Sequence, residues 1–272
     1  MGNIKASLFF KDSEDFIRIK EESTSFNYNY NGGNIIQDDI FNIAENYARK
    51  KGNNLELITI PIEDEELWAF TFVKCNTIFV CVNSKLPMNK EIFAMAHEFI
   101  HIFCYIEKDS SLILDCNTVL QEDIMNNVGL CKEDLEANAF AGLLLMPKDT
   151  LLSQMDIYDI KRESITVDEV IKLMDIFAMP YRAVVLRLIE SDVISKSYGE
   201  KLLNVSSEKV LDKIELTGVG KRWQIDGKNR ISFGSLLENM KYNEENDVLF
   251  ESRYNDDESY ILEIKNKLNG VK

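Results

Sequence analysis

A chain of 272 residues that is 45% hydrophobic and 10% aromatic has enough apolar material to bury a core, as one large domain or two smaller ones, and is not a disordered chain. Its net charge of −15 argues against nonspecific binding to nucleic acid or anionic membranes, which both draw affinity from basic patches. The five cysteines (Cys75, Cys81, Cys104, Cys116, Cys131) follow no disulfide or zinc-knuckle spacing, no apolar stretch approaches the ~18 residues of a membrane span, and the first residues lack a signal-type apolar run. A cytoplasmic chain with reduced thiols is expected.

Along the chain, residues 1–32 are polar, and Asn27-Tyr28-Asn29-Tyr30-Asn31-Gly32-Gly33 reads as a loop. Ile35 to Lys51 carries helical apolar spacing (Ile36, Ile40, Ile43, Ala44, Tyr47) and stops at Gly52. Leu55 to Pro61 alternates like a strand. Trp68–Lys74 and Ile78–Val82 are β-rich and read as a hairpin. A helix opens near Pro87 and runs to about Ile106, and Asn126-Asn127-Val128-Gly129 reads as a turn. A second helix spans about Lys132 to Met146 and is stopped by Pro147. Asp168–Phe177 and Tyr181–Glu190 are two short amphipathic helices around Ala178-Met179-Pro180. Beyond Ser206 the pattern turns mixed and acidic, with a terminal helix near Glu258–Leu268.

The chemistry concentrates in one phrase. The chain's two histidines both lie in His97-Glu98-Phe99-Ile100-His101, an HExxH motif inside an expected helix. Four residues is one helical turn, so both imidazoles share a face with a carboxylate beside them. A catalytic zinc takes three protein ligands and leaves a fourth position for water, and Glu98 is placed to take that water's proton. No third histidine exists, so the third ligand must come from elsewhere, and a carboxylate on the second helix is the obvious source, with Cys131 a minor competitor. On that helix Asp134, Ala137, Asn138, Ala141 and Leu145 share one face, and the two alanines allow close approach. Asp134 then reaches the metal and Asn138, one turn on, hydrogen-bonds a ligand histidine. Glu136 points roughly 200° away from Asp134 at 100° per residue. The order of preference is Asp134, Glu136, Glu133. An ordinary first-turn acid favoured by the helix dipole is the plainer reading of both Asp134 and Glu133.

Three stretches together resemble a known family. Val82-Asn83-Ser84-Lys85-Leu86-Pro87 precedes Phe93-Ala94-Met95-Ala96-His97-Glu98-Phe99-Ile100-His101, and Glu136-Ala137-Asn138-Ala139-Phe140-Ala141 leads to Leu144-Leu145-Met146-Pro147. These look like the ImmA/IrrE metallopeptidases, over residues about 65–195. The resemblance implies a minimal gluzincin-like zinc domain that cleaves a helix-turn-helix repressor of a mobile element or stress regulon. In that family the third ligand is usually Glu, four residues before the Asn or Asp of the second phrase; here that place holds Asp134, one methylene shorter.

The expected fold is α+β: a zincin-like metallopeptidase domain of a small sheet plus active-site helices over 1–155, a helical segment packed on it over 156–205, and a mixed C-terminal region over 206–272. The expected cofactor is Zn2+. The expected partner is a protein substrate, a helix-turn-helix repressor or antitoxin, with no direct nucleic-acid contact and no membrane. A zincin fold that sequesters a partner without cutting it is the competing reading. Candidates for stabilising an oxyanion are Tyr105, Tyr181 and Arg182, chosen by residue type alone. The Tyr181–Glu190 helix carries only Arg182 and Arg187 among apolar residues, so core packing rather than DNA reading is expected of it.

Overall fold

The computed structural model describes residues 14–107, 119–120, 132–225, 230–248 and 250–268. The expected Asn126–Gly129 turn, Cys116, Cys131 and the Glu133 side chain lie outside them. The architecture is α+β, with one small mixed sheet and many helices. In chain order the elements are α1 (Glu14–Asn31), α2 (Ile40–Lys50), β1 (Asn54–Ile60), β2 (Ala69–Lys74), β3 (Thr77–Asn83), α3 (Met88–Glu107), β4 (Val119–Leu120), α4 (Lys132–Leu145) and α5 (Lys148–Ile157). They continue with α6 (Val167–Phe177), α7 (Tyr181–Glu190), α8 (Lys196–Leu203), α9 (Ser207–Thr217), β5 (Ser232–Phe233), α10 (Leu236–Glu245) and α11 (Glu251–Leu268).

The sheet order is β4-β2-β3-β1-β5. β2 and β3 form the expected antiparallel hairpin, while β1 runs parallel to β3. The hairpin turn is the pair Cys75-Asn76, with φ of 50° and 59°. Two successive left-handed residues match the right-handed twist of the strands, and Asn tolerates that region better than most side chains. Because β-residues alternate faces, Ala69, Thr71 and Val73 of β2 project to one side, toward α3, and Phe70 and Phe72 to the other.

α3 is the axis of the molecule. Every residue from Glu91 to Ile102 is buried. A helix enclosed all round needs cover on all sides, and the sheet, α2 and α4 supply it. α2 contributes the stripe Ile40, Ile43, Ala44, Tyr47 and Ala48, and the chain leaves it through Gly52 at φ 77°. Phe99 of α3 meets Phe26, Tyr47 and Phe140 at ring-centroid distances of 4.5, 5.3 and 6.2 Å, so α1, α2 and α4 converge on one aromatic cluster.

The first correction concerns residues 14–31, which form a helix where the sequence reads as polar chain ending in a loop. The Asn/Tyr run from Asn27 to Asn31 is its last turn, and Gly32 and Gly33, at φ 62° and 78°, end it. Its buried stripe is Phe16, Ile19, Ser23, Phe26 and Asn27, too diluted by polar residues to show as an apolar period. Tertiary contacts stabilise it instead. Asn27 Nδ2 donates to the Leu144 carbonyl at 3.3 Å, closing an otherwise orphaned acceptor at the end of α4. A second difference is that Pro147 not only stops α4 but caps the start of α5, which the sequence pattern does not announce.

The C-terminal region is tied to the same sheet. β5 pairs antiparallel with β1 through Ile58–Phe233 and Thr59–Ser232. Next to it Gly234, at φ 60°, brings the chain so close that an added Cβ would lie 2.2 Å from Glu56 Oε2. That approach lets the Ser235 amide donate to Glu56 Oε2 at 2.7 Å. Arg230 reaches across to the buried carboxylate of Glu91 on α3.

Candidate metal centre

α3 and α4 pack face to face, and the polar groups each turns toward the other form one cluster. His97 and His101, one turn apart, have ring centroids 5.3 Å apart. One ligand atom from each of His97, His101 and Asp134 lies within 4.8 Å of the others. Ala137 and Ala141 of α4 are fully buried, the small side chains that let the two helices close on each other. Two imidazoles and one carboxylate are a donor set suited to a catalytic zinc, which keeps a fourth position open.

The neighbours of the histidines bias them toward ligation. His97 Nδ1 lies 3.0 Å from Asn138 Oδ1. An amide oxygen only accepts, so Nδ1 carries the proton and the Nε2 lone pair is left for a cation. Burial, then the neighbouring His101, push the His97 pKa down to about 3, against the Asn138 hydrogen bond that raises it. The ring is therefore neutral at physiological pH, as a metal ligand must be.

Glu98 occupies the same cluster under different constraints. Both carboxyl oxygens are buried, and neither makes a well-formed hydrogen bond to the described residues. Burial pushes its pKa up to about 8; the nearby Thr71 hydroxyl on β2 works the other way, and the Asp134 charge adds to the rise. A dication between the imidazoles would favour the anion again. Burying an unsatisfied carboxyl costs several kcal/mol in general, on the order of 1–3 or more for each unmade hydrogen bond. A folded chain keeps such a group where chemistry needs it.

The other candidates fall elsewhere. Glu136 turns to α1, where Arg18 Nη2 donates to its Oε2 at 2.7 Å, so it braces α4 from the side away from the histidines. Tyr181 is buried with its hydroxyl donating to the Leu202 carbonyl at 3.3 Å, directing it to α8. Arg182 lines a cleft at the N-terminal end of α3 together with Asn89 and Trp68. Tyr105, one turn after His101 on α3, is partly buried against the core. Sequence reasoning missed Thr71. The signal was available only in part: as an inward residue of the β2–β3 register it is a hydroxyl where an apolar side chain belongs.

A profile of the IrrE N-terminal-like domain (Peptidase_M78) matches residues 51–188, from the start of β1 almost to the end of α7, and so includes every residue of the cluster. No curated protein sequence matches the chain.

Proposed function

The chain belongs to the IrrE N-terminal-like family of metallopeptidases, and from that membership we propose a zinc-dependent endopeptidase that cuts one protein substrate, a helix-turn-helix repressor or antitoxin. The observation that carries the metal assignment is the convergence of His97, His101 and Asp134 beside a buried, unsatisfied Glu98. These residues suit zinc: two imidazole nitrogen donors, one oxygen donor, and Asn138 fixing one imidazole's tautomer.

Bound zinc supplies Lewis acidity, polarising a carbonyl and acidifying water. The chain's own groups do the rest. Glu98, carboxylate toward the cluster, takes the proton of the attacking water and passes it to the amide nitrogen that leaves as an amine. Thr71 supports the anionic form of Glu98 before the transfer, and burial favours its protonated form after it. The surrounding wall of α3 and α4 excludes bulk water, so both charge states are held in low dielectric where small displacements change their energies strongly. Narrow specificity for a repressor rests on the family resemblance. The acidic balance of the chain, −15, suits a basic DNA-binding partner.

The test is incubation of the zinc-loaded protein with the helix-turn-helix repressor encoded beside it, read by intact mass. A single pair of complementary fragments is expected, absent with Glu98→Gln. An uncut repressor, or equal cutting by Glu98→Gln, overturns the proposal. Tight repressor binding without cutting would instead support sequestration.

A further inference from the structure

A cleft of about 620 Å³ opens where the start of β2, the N-terminal end of α3, the α6–α7 junction and α9 meet. Asn89 in the cleft precedes His97 of the metal cluster by eight residues, about 12 Å along α3 at 1.5 Å per residue. α6 and α9 line the cleft with the apolar Met174, Val210 and Leu211, and α7 contributes Arg182. Trp68 and Asn89, 2% and 4% exposed, line it from the start of β2 and the first turn of α3. Trp68 Nε1, Arg182 Nε and Asn89 Oδ1 are all buried with no hydrogen-bond partner among the described residues. Lys90 lies over the indole face, 4.8 Å from its centroid, and adds a cationic edge.

Two unsatisfied donors and one unsatisfied acceptor in a cleft that also has apolar lining complement a particular chemistry. A peptide group offers a carbonyl to the indole N–H and an N–H to the amide oxygen, while leucine-like side chains cover the apolar lining. A purely anionic ligand would satisfy Trp68 and Arg182 but leave the Asn89 oxygen facing another acceptor. We propose that this cleft binds an extended apolar peptide segment, and that in the working enzyme the segment belongs to the substrate, held two helical turns from the site of cutting. The identity of the occupant as substrate rests on the peptidase reading; the binding itself does not.

The chain's two tryptophans make the test direct, because Trp223 already donates its indole N–H to the Asp175 carbonyl at 2.8 Å. The full-length Glu98→Gln protein, labelled with 15N, is titrated with N-acetyl-leucyl-leucinamide while the two indole N–H resonances are followed. The Trp68 resonance should move saturably and the Trp223 resonance should stay. N-acetyl-glycyl-glycinamide should move neither. Asn89→Leu should weaken binding at least about tenfold, the ordinary consequence of removing one buried hydrogen-bond partner. Should Asn89→Leu fail to fold, Leu211→Asp, on a half-exposed wall position that tolerates charge, should abolish binding. No movement of Trp68, equal movement of both indoles, or an equal response to the glycine probe overturns the proposal. Repressor cutting without cleft binding would sink the cleft alone, and cleft binding without cutting would sink the peptidase reading alone.

Discussion

The helix that carries the chemistry and the helices that close the chain obey opposite rules. In α3, His97, Glu98, His101, Glu91 and Asn89 are all buried, and two of them leave polar atoms unsatisfied. In α10 and α11 the charged residues face solvent and pair along their own helix, as Lys241–Glu245, Arg253–Asp257 and Lys267–Glu263 do at i,i+4 spacing. Exposed pairs of that kind contribute only a few tenths of a kcal/mol. A buried acid with little beyond the Thr71 hydroxyl to support its charge costs more than several such pairs return. The costly burial of polar groups is thus concentrated on α3, while the closing helices keep their ion pairs at the surface.

The strongest way to break this contrast is to relax the interior. Glu98→Gln should lower the rate of peptide cleavage by roughly 10²–10⁴-fold, the usual worth of a positioned proton carrier, while raising the melting temperature of the metal-free protein. A fall in both activity and melting temperature would mean that Glu98 is structural. Asp134→Ala should reduce bound zinc to well below one per chain after dialysis, measured by atomic emission, whereas Glu136→Ala should leave it near the wild-type value. The converse pattern would exchange their roles.

Smaller effects sharpen the comparison at the joints between interior and periphery. Burial pushes Glu91 up to about 7 although Arg230 lies against it and pulls the other way. A carboxyl whose folded pKa exceeds its unfolded value holds more protons in the native state between those two values. Its contribution to stability is therefore present below about pH 4.5 and is lost as the pH rises toward 7. The loss is about 3 kcal/mol at most, at about 1.4 kcal/mol per unit. Urea denaturation from pH 5 to 8 should show that decline, and Glu91→Gln should flatten it. Gly234→Ala places a side chain at φ 60° and displaces the Glu56 carboxylate from Ser235, which should cost about 1–2 kcal/mol in the same assay. Arg18→Ala should cost under about 1 kcal/mol, since that pair is partly exposed. A double-mutant cycle with Glu136→Ala measures the coupling.

The two halves of the contrast were unequally legible in the sequence. α3 and α4 could be read because their polar residues recur at one turn, and only a helix makes His97 face His101 and Asp134 face Asn138. The β2–β3 hairpin was legible from β-branched and aromatic runs on either side of Cys75-Asn76. α1 was not, because Ser23 and Asn27 sit in its buried stripe and its hydrogen bonds to α4 come from residues over a hundred positions away. β5 could not be read either: a two-residue strand is specified by Gly234 and by the partner edge of β1 rather than by its own composition. Thr71 matters only through its place opposite Glu98, which is a property of packing.

The enclosure of α3 has a kinetic side. A helix with no solvent-facing stripe has no low-energy way to fray, so the amides from Glu91 to Ile102 open only when the whole core opens. Hydrogen exchange along that stretch should therefore report the stability of the whole molecule, while the solvent-facing turns of α10 exchange first.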